Sequence, residues 1–393
     1  MQVRALTILI CLGLAADAAA SDWPQWRGPA RTGISSETGW KADFGSNPKR
    51  LWTANIGSGY SSMAVAGGRV YTMGSNNGRD VVSCLNAATG KVVWQYNYPS
   101  KGAGGGYDGP RATPVVDGAK VYTLSQDGQA FCFDTATGKP VWYVNFVQAI
   151  GARFPQWGFA GSPLIEGDLA IYNMGTTGTA LNKNTGKIVW KSGSSPSGYS
   201  SPFPYTVNGK RAVLIFAAKG IVAVDPGSGS VLWEHGWSTS YDVNAADPVV
   251  AGTDVFISSN YGVGCALLRT GGGRPTVVWQ NRDMKNHFNS SVLVNGVLYG
   301  NDEGRLRAMD LRTGRSLGEM RGMDKGGLIA ADGKLIIVTG RGELVIAEAT
   351  PRLTELSRAQ ILDGECWTHP VLANGLLYAR NYQGTLVCLD LRK

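Results

Sequence analysis

Charge is scarce in this chain: 17% of its 393 residues are Asp, Glu, Lys or Arg. Lys and Arg outnumber Asp and Glu by 37 to 29, but no basic block of five or more occurs. The electrostatic footprint of a nucleic-acid binder is therefore missing. Histidine is limited to His235, His287 and His369, with no His-x-x-x-His or Cys-x-x-Cys pair, which leaves no structural zinc site to read. Without a Gly-x-Ser-x-Gly elbow, hydrolysis has no specific support. The glycine-rich stretch at residues 102–106 lacks phosphate-loop spacing and reads as a flexible connection. Nothing beyond the first fifteen residues approaches the roughly 20 apolar residues of a membrane span. Leu and Glu runs are also scarce, while Gly reaches 54 residues, which argues against a helical protein. Aromatic residues at 9% argue against disorder. A large β-rich protein is what remains.

The N-terminus has its own signature. Arg4 precedes an apolar run at residues 5–15, and Ala18, Ala19 and Ala20 offer small residues for cleavage before Ser21. That is the order of a secretory signal. Cys11 is not preceded by a suitable lipid-attachment context, because Ile10 stands where a small residue is needed. The expectation is a signal at 1–20, a Trp- and Pro-containing arm at 21–47, and an exported product, periplasmic or extracellular. The signal removes one Arg and one Asp, so the formal charge of +8 persists.

Repeats decide the architecture. Asp134-Thr-Ala-Thr-Gly-Lys-Pro-Val-Trp142 recurs as Asn86…Gly90…Trp94, Asn182…Gly186…Trp190 and Asp225…Gly229…Trp233. Upstream of each lies a second element, such as Thr113-Pro-Val-Val-Asp-Gly118, with counterparts at Ser162-Pro163, Asp247-Pro248 and His369-Pro370. Short apolar runs around Asn-Gly or Asp-Gly are strong hairpin signals. Another glycine turn follows at Gly78, Gly128, Gly178, Gly220, Gly262, Gly304, Gly342 and Gly384. Each unit reads as four short antiparallel strands with Trp on the fourth. The Trp slots are Trp52, Trp94, Trp142, Trp190, Trp233 and Trp279, then degenerate positions near Leu317 and Leu356. This spacing suits propeller blades. The last unit stops at Lys393 before any Trp strand, and Leu51-Trp52-Thr-Ala-Asn55 supplies the missing one. The predicted fold is all-β: an eight-bladed β-propeller at residues 48–393, of four-stranded antiparallel blades, closed by the N-terminal strand in the last blade.

Cysteine usage fits packing. Cys11 leaves with the signal, and five thiols remain, an odd number. Cys84, Cys132, Cys265 and Cys388 are read as filling one repeated slot two residues before the acid position, where other units have Ala180, Ala223, Ala308 or Ile346. Equivalent slots in neighbouring blades are expected to be too far apart to bridge.

The Asp-x-x-x-Gly-Lys-x-x-x-Trp pattern resembles the pyrroloquinoline quinone (PQQ) repeat, over roughly residues 48–393. The resemblance implies two kinds of eight-bladed relative: quinoprotein alcohol dehydrogenases, and the non-catalytic BamB-like propeller of the outer-membrane protein assembly machine. The opening Asp22-Trp-Pro-Gln-Trp-Arg-Gly-Pro29 is similar to exported PQQ-like propellers. The dehydrogenases carry an adjacent Cys-Cys pair beside the cofactor, which this sequence lacks.

Side chains just before the innermost strands are expected to crowd the funnel mouth: Arg111, Trp157, Tyr199, Asp242, Asn244, Asp247, His287, Asn289, Lys325, Trp367 and His369. Arg111, Trp157, Lys325 and Trp367 are the cofactor-binding candidates, as cations for carboxylates and aromatic surface for stacking. Asp242, Asn244 and Asp247 are calcium candidates because alternating oxygens can converge on a hard cation. The same side chains equally satisfy turn amides. No catalytic residue is assigned. The leading expectation is an exported, non-catalytic scaffold for a protein partner in the cell envelope, with no cofactor. The alternatives are a PQQ- and calcium-dependent alcohol dehydrogenase and a cell-surface polysaccharide-binding module.

Overall fold

The computed structural model describes residues 21–102 and 107–393. The signal expected at 1–20 and most of the glycine-rich stretch at 102–106 lie outside the described residues. The described chain is built of eight sheets of antiparallel strands, blades 1 to 8 in chain order. Blade 1 comprises Ala64–Ala66, Arg69–Asn76, Arg79–Asn86 and Val92–Pro99. Blade 8 comprises Val371–Ala373, Leu376–Arg380 and Thr385–Asp390, and Lys49–Asn55 completes it, with Trp52 opposite Cys388. Arg380 then staples blade 8 to blade 1 by donating to Met73 O (2.7 Å), and to Gly57 O (2.9 Å) of the connection between the two blades.

The repeat has a mechanical meaning. Asp134 Oδ1 accepts from the N–H groups of Ala136 and Thr137, which folds the turn. Gly138 follows at φ 69°, where a Cβ would stand 2.5 Å from the Trp94 ring of the preceding blade. Trp94 Nε1 in turn donates to Thr135 O of that same turn (2.8 Å). Trp52 with Ala87 and Gly90, Trp142 with Lys183 and Gly186, and Trp190 with Pro226 and Gly229 repeat the arrangement. So the acid folds the turn, the glycine seats a tryptophan, and each tryptophan joins its blade to the next. Trp233 departs from this: its buried Nε1 has no partner, and the following blade turns through Thr270 and Gly271 instead of an acid-to-glycine loop.

Register corrects one slot and fixes two others. Leu267, not Cys265, stands opposite Trp279, while Cys265 pairs with Asn281 two positions away, because the longer outer turn of blade 5 displaces the count. The degenerate Trp positions are Gly318, opposite Ala308, and Ser357, opposite Ile346. At Gly318 a Cβ would meet Pro351 O at 2.0 Å, and the Ser357 hydroxyl donates to Ala42 O. Backbone from elsewhere has replaced the indole in both blades. All five described cysteines are buried and unpaired.

A belt of hydrogen bonds circles the channel two residues before the innermost strands. Ser62 N donates to Thr113 Oγ1, Thr113 N to Ser162 Oγ, Ser162 N to Ser201 Oγ, Ser201 N to Asp247 Oδ1, and Asp247 N to Ser290 Oγ, all within 2.8–3.1 Å. His369 Nε2 accepts from Ser290 N (3.4 Å), and Ser62 Oγ donates to His369 O (2.9 Å). Blade 7 is bypassed, and Lys325 occupies its place.

The arm crosses the channel below this belt. Trp23 bridges Val65 of blade 1, and Pro24 O accepts from Val116 N of blade 2. Arg31 donates to Ser162 O and Pro163 O of blade 3, and Arg27 to Ser291 O of blade 6. Ile34–Ser35 adds a parallel strand to Gly327–Ala331 of blade 7, and Glu37 accepts from Asn374 N and Gly375 N of blade 8. These contacts close the channel and leave a cup open at the other end.

Candidate functional site

The cup has a volume of about 290 Å³. Its wall follows a rule: the residue four positions before an innermost strand faces the channel mouth. Tyr60, Arg111, Ala160, Tyr199, Ala245, Phe288 and Trp367 satisfy it in seven blades. In blade 7 the belt position Lys325 reaches the cup instead. Trp26 of the arm and Asp247 lie at the floor, joined by a 2.6 Å hydrogen bond from Trp26 Nε1 to Asp247 Oδ2.

Aromatic rings run almost continuously around the rim. Tyr199 meets Trp157 (6.2 Å between centroids), Trp157 meets Tyr241 (5.6 Å), and Tyr241 meets Tyr261 (5.8 Å). Tyr261 then meets His287 (5.3 Å), which meets Phe288 (4.7 Å), and Phe288 meets Trp367 (5.2 Å). Tyr60 stacks on Trp367 at 5.7 Å, and Tyr107 at 5.9 Å. Two cations lie over these faces. Lys325 Nζ is 4.4 Å from the Trp367 centroid, and Arg111 Cζ is 5.7 Å from that of Tyr60. Arg111 is held by Gly109 O (2.9 Å) and Gln126 Oε1 (3.3 Å). Tyr241 (φ 64°) and Tyr261 (φ 59°) sit in the left-handed region, which bulky residues rarely enter. Tyr241 is nonetheless 60% exposed. Strain of this kind concentrates at functional sites.

Protonation leaves the cup positive. Burial, then the Lys325 charge, pushes His287 down to about 4; burial, then Arg27, pushes His369 down to about 3. Both rings are therefore neutral near pH 7. Asp247 is pushed up by burial, against the pull of Arg27 and Arg31. Glu365 stands behind the rim, where Tyr60 Oη donates to it at 2.8 Å. A second, more polar cavity adjoins the cup and shares His287, Lys325 and Trp367 with it.

The four cofactor-binding candidates, Arg111, Trp157, Lys325 and Trp367, all line the cup, together with Tyr199, Asp247, His287 and His369. Asn289 faces the adjoining cavity. The calcium candidates are separated by their partners. Asp242 pairs with Lys219. Asn244 Nδ2 donates to Ala217 O, Ala218 O and Trp237 O, while its Oδ1 accepts from Ser259 Oγ. Asp247 is divided between Ser201 N and Trp26. This donor set does not fit a shared calcium ion, because its oxygens are committed in three directions. Tyr60, Tyr107, Tyr261, Phe288 and Trp26 line the cup and were not anticipated; the four-residue offset shared by Tyr60, Arg111, Phe288 and Trp367 was the available signal for two of them.

A family model described as outer membrane protein assembly factor BamB matches residues 36–105 and 80–319. The chain belongs to this family. The assembly factor BamB of Yersinia pestis is 24% identical over 360 residues, 86% of this chain and 78% of that protein. Among solved structures, BamB from Moraxella catarrhalis superposes with a TM-score of 0.65 at 17% identity, over 88% of this chain and 100% of that one. Quinohemoprotein alcohol dehydrogenase from Comamonas testosteroni gives a TM-score of 0.71 at 16% identity, over 95% of this chain and 81% of that one. At such identities the likeness is one of fold.

Proposed function

We propose that this chain is an exported, non-catalytic propeller that binds a protein partner during assembly of the cell envelope, with the cup as its docking surface. Family membership supports the setting, since the matching family and its Yersinia pestis relative are named for outer membrane protein assembly. The observation that carries the docking reading is the rim: aromatic side chains from Tyr60 to Trp367, with Arg111 and Lys325 laid over them. Aromatic residues and Arg are the side chains that protein interfaces favour. Charge complementarity defines the occupant as a partner segment carrying aromatic or apolar side chains and a carboxylate. Asp247 and Asn244 serve the belt and the turns in this reading.

A photoreactive amino acid at position 241, at the rim, is expected to crosslink in cells to a segment rich in aromatic and acidic residues, identified by mass spectrometry. The same probe at exposed Val189, on an outer strand, serves as the control. Changing Arg111 and Lys325 together to Glu should reduce the position-241 crosslink about tenfold. Trp367, Arg111 and Lys325 also offer a stacking face and two cations to a planar polycarboxylate such as PQQ. Calorimetric titration with PQQ in the presence of calcium is expected to give no saturable heat. Micromolar binding would favour the dehydrogenase reading and overturn the scaffold.

A further inference from the structure

Outside the cup, one group of buried oxygens lacks partners. Asp80 stands directly opposite Ser75 on one neighbouring strand of blade 1 and opposite Tyr98 on the other, so the three side chains share a face. The turn after Lys120–Leu124 of blade 2 brings Asp127 against them, with its Oδ2 accepting from Lys101 N at 2.6 Å. Asp80 is completely buried, and no donor meets either carboxylate oxygen in full hydrogen-bond geometry, although the Ser75 and Ser100 hydroxyls are near enough to favour its charged form. Asp127 Oδ1 and Tyr98 Oη are also buried without a hydrogen-bond partner, although Tyr98 is only 4% exposed and faces both carboxylates. Ser75 and Ser100 hydroxyls lie beside Asp80. Arg111, the cation that tempers Asp80, directs its N–H groups to Gly109 O, Tyr107 O and Gln126 Oε1.

A buried carboxylate is strongly disfavoured unless a cation or donors compensate it. The two carboxylates are the charged hard oxygens that calcium takes, and the neighbouring phenol and hydroxyls add neutral oxygens beside them. We propose that Asp80, Asp127 and Tyr98 hold a calcium ion between blades 1 and 2, with Ser75 and Ser100 completing the donor set. No cluster of three or more His, Cys, Asp or Glu suited to a metal occurs among the described residues, so the site has few charged ligands. Its affinity belongs with the roughly 10⁻⁴–10⁻³ M of extracellular modules. The ion acts on the cup through the turn it fixes. Lys101 N is bound by Asp127, and Gly109 N donates to Gln126 Oε1 (3.1 Å), so this turn anchors Lys101 and Gly109, the latter beside Arg111 of the cup.

The test is calorimetric titration of chelator-treated mature protein with calcium chloride at pH 8. One equivalent per chain is expected, with affinity at least tenfold weaker in Asp80→Asn and Asp127→Asn and unchanged in Asp242→Asn. Tyr98→Phe keeps the ring and removes one ligand, so it should weaken binding severalfold even if the Asp80 variant fails to fold. Absence of saturable calcium heat in the wild type would overturn the proposal. So would equal affinity in wild type and Asp80→Asn, or a loss of binding caused by Asp242→Asn, which would move the ion to the funnel.

Discussion

Asp247 occupies a place that Thr113, Ser162, Ser201 and Ser290 hold in other blades, and the difference between a hydroxyl and a carboxylate explains why. Any of these side chains can accept the belt hydrogen bond; a carboxylate has a second oxygen, and Asp247 gives it to Trp26. Its charge also faces the fully buried Arg27 and Arg31. Asp247→Ser should keep the belt and free the Trp26 indole, at a cost of about 2–4 kcal/mol in urea denaturation, from a lost charge-assisted bond and two uncompensated guanidinium groups. A cost near zero would show that the Asp247 carboxylate does not stabilise the arm. His369 makes a pH-dependent contribution. Its Nδ1 pairs with Leu328 O and its Nε2 accepts from Ser290 N, so the belt uses the neutral ring. With a folded pKa of about 3 against about 6.5 unfolded, the unfolded chain binds the extra proton. The stabilisation is therefore complete above pH 6.5 and is lost as pH falls toward 3. Between pH 6.5 and 4.5 the wild type should lose roughly 2 kcal/mol more than His369→Gln. Parallel stability–pH curves would refute that assignment.

At the scale of the blade, glycine has two separable roles. Gly118 (φ 57°) has open space where a Cβ would go, whereas Gly138 (φ 69°) is pressed against Trp94. Gly118→Ala carries only the left-handed penalty, about 1–2 kcal/mol. Gly138→Ala adds overpacking of about 1–3 kcal/mol against the indole. The expected order of thermal midpoints is wild type, then Gly118→Ala, then Gly138→Ala; equal midpoints for the two variants would mean that the glycine–tryptophan contact contributes nothing. The turn pattern that announces the blades was legible because all its parts are local. The acid, the glycine and the tryptophan lie within nine residues of chain, and each acts on backbone or on a ring in the adjoining blade. Cys265 was misplaced because a longer turn in blade 5 breaks the count without changing the fold.

The whole molecule depends on closing a ring from both ends of the chain. Trp52 contacts Tyr378 (5.9 Å) in its own blade and donates to Ala87 O of blade 1. Trp52→Ala should cost about 3–5 kcal/mol, as truncation of a buried aromatic does. It should also expose the edge of Thr385–Asp390, which hydrogen exchange of those amides would reveal before global unfolding. Protection equal to that of the wild type would show that the ring closes without this side chain. The arm adds a second closure across the channel, with partners in seven blades, and this is why neither its Trp nor its Arg residues announced a role from the linear order.

The sequence by itself determined the number of blades, the strand content of each and the strand that completes the last one, because hairpin turns and Trp–Gly contacts are set by spacing along the chain. It also pointed to much of the cup, since Arg111, Trp157, Lys325 and Trp367 precede predicted innermost strands. Only the tertiary structure decided that Asp242, Asn244 and Asp247 are held apart by Lys219, by backbone carbonyls and by Trp26. It alone decided that Asp80 and Tyr98 stand opposite each other in blade 1 with Asp127 of blade 2 near both. Both outcomes turn on where side chains from separate elements meet around a closed ring. A one-dimensional pattern fixes which face of a strand a residue occupies, but the partner waiting on that face is chosen by the closure.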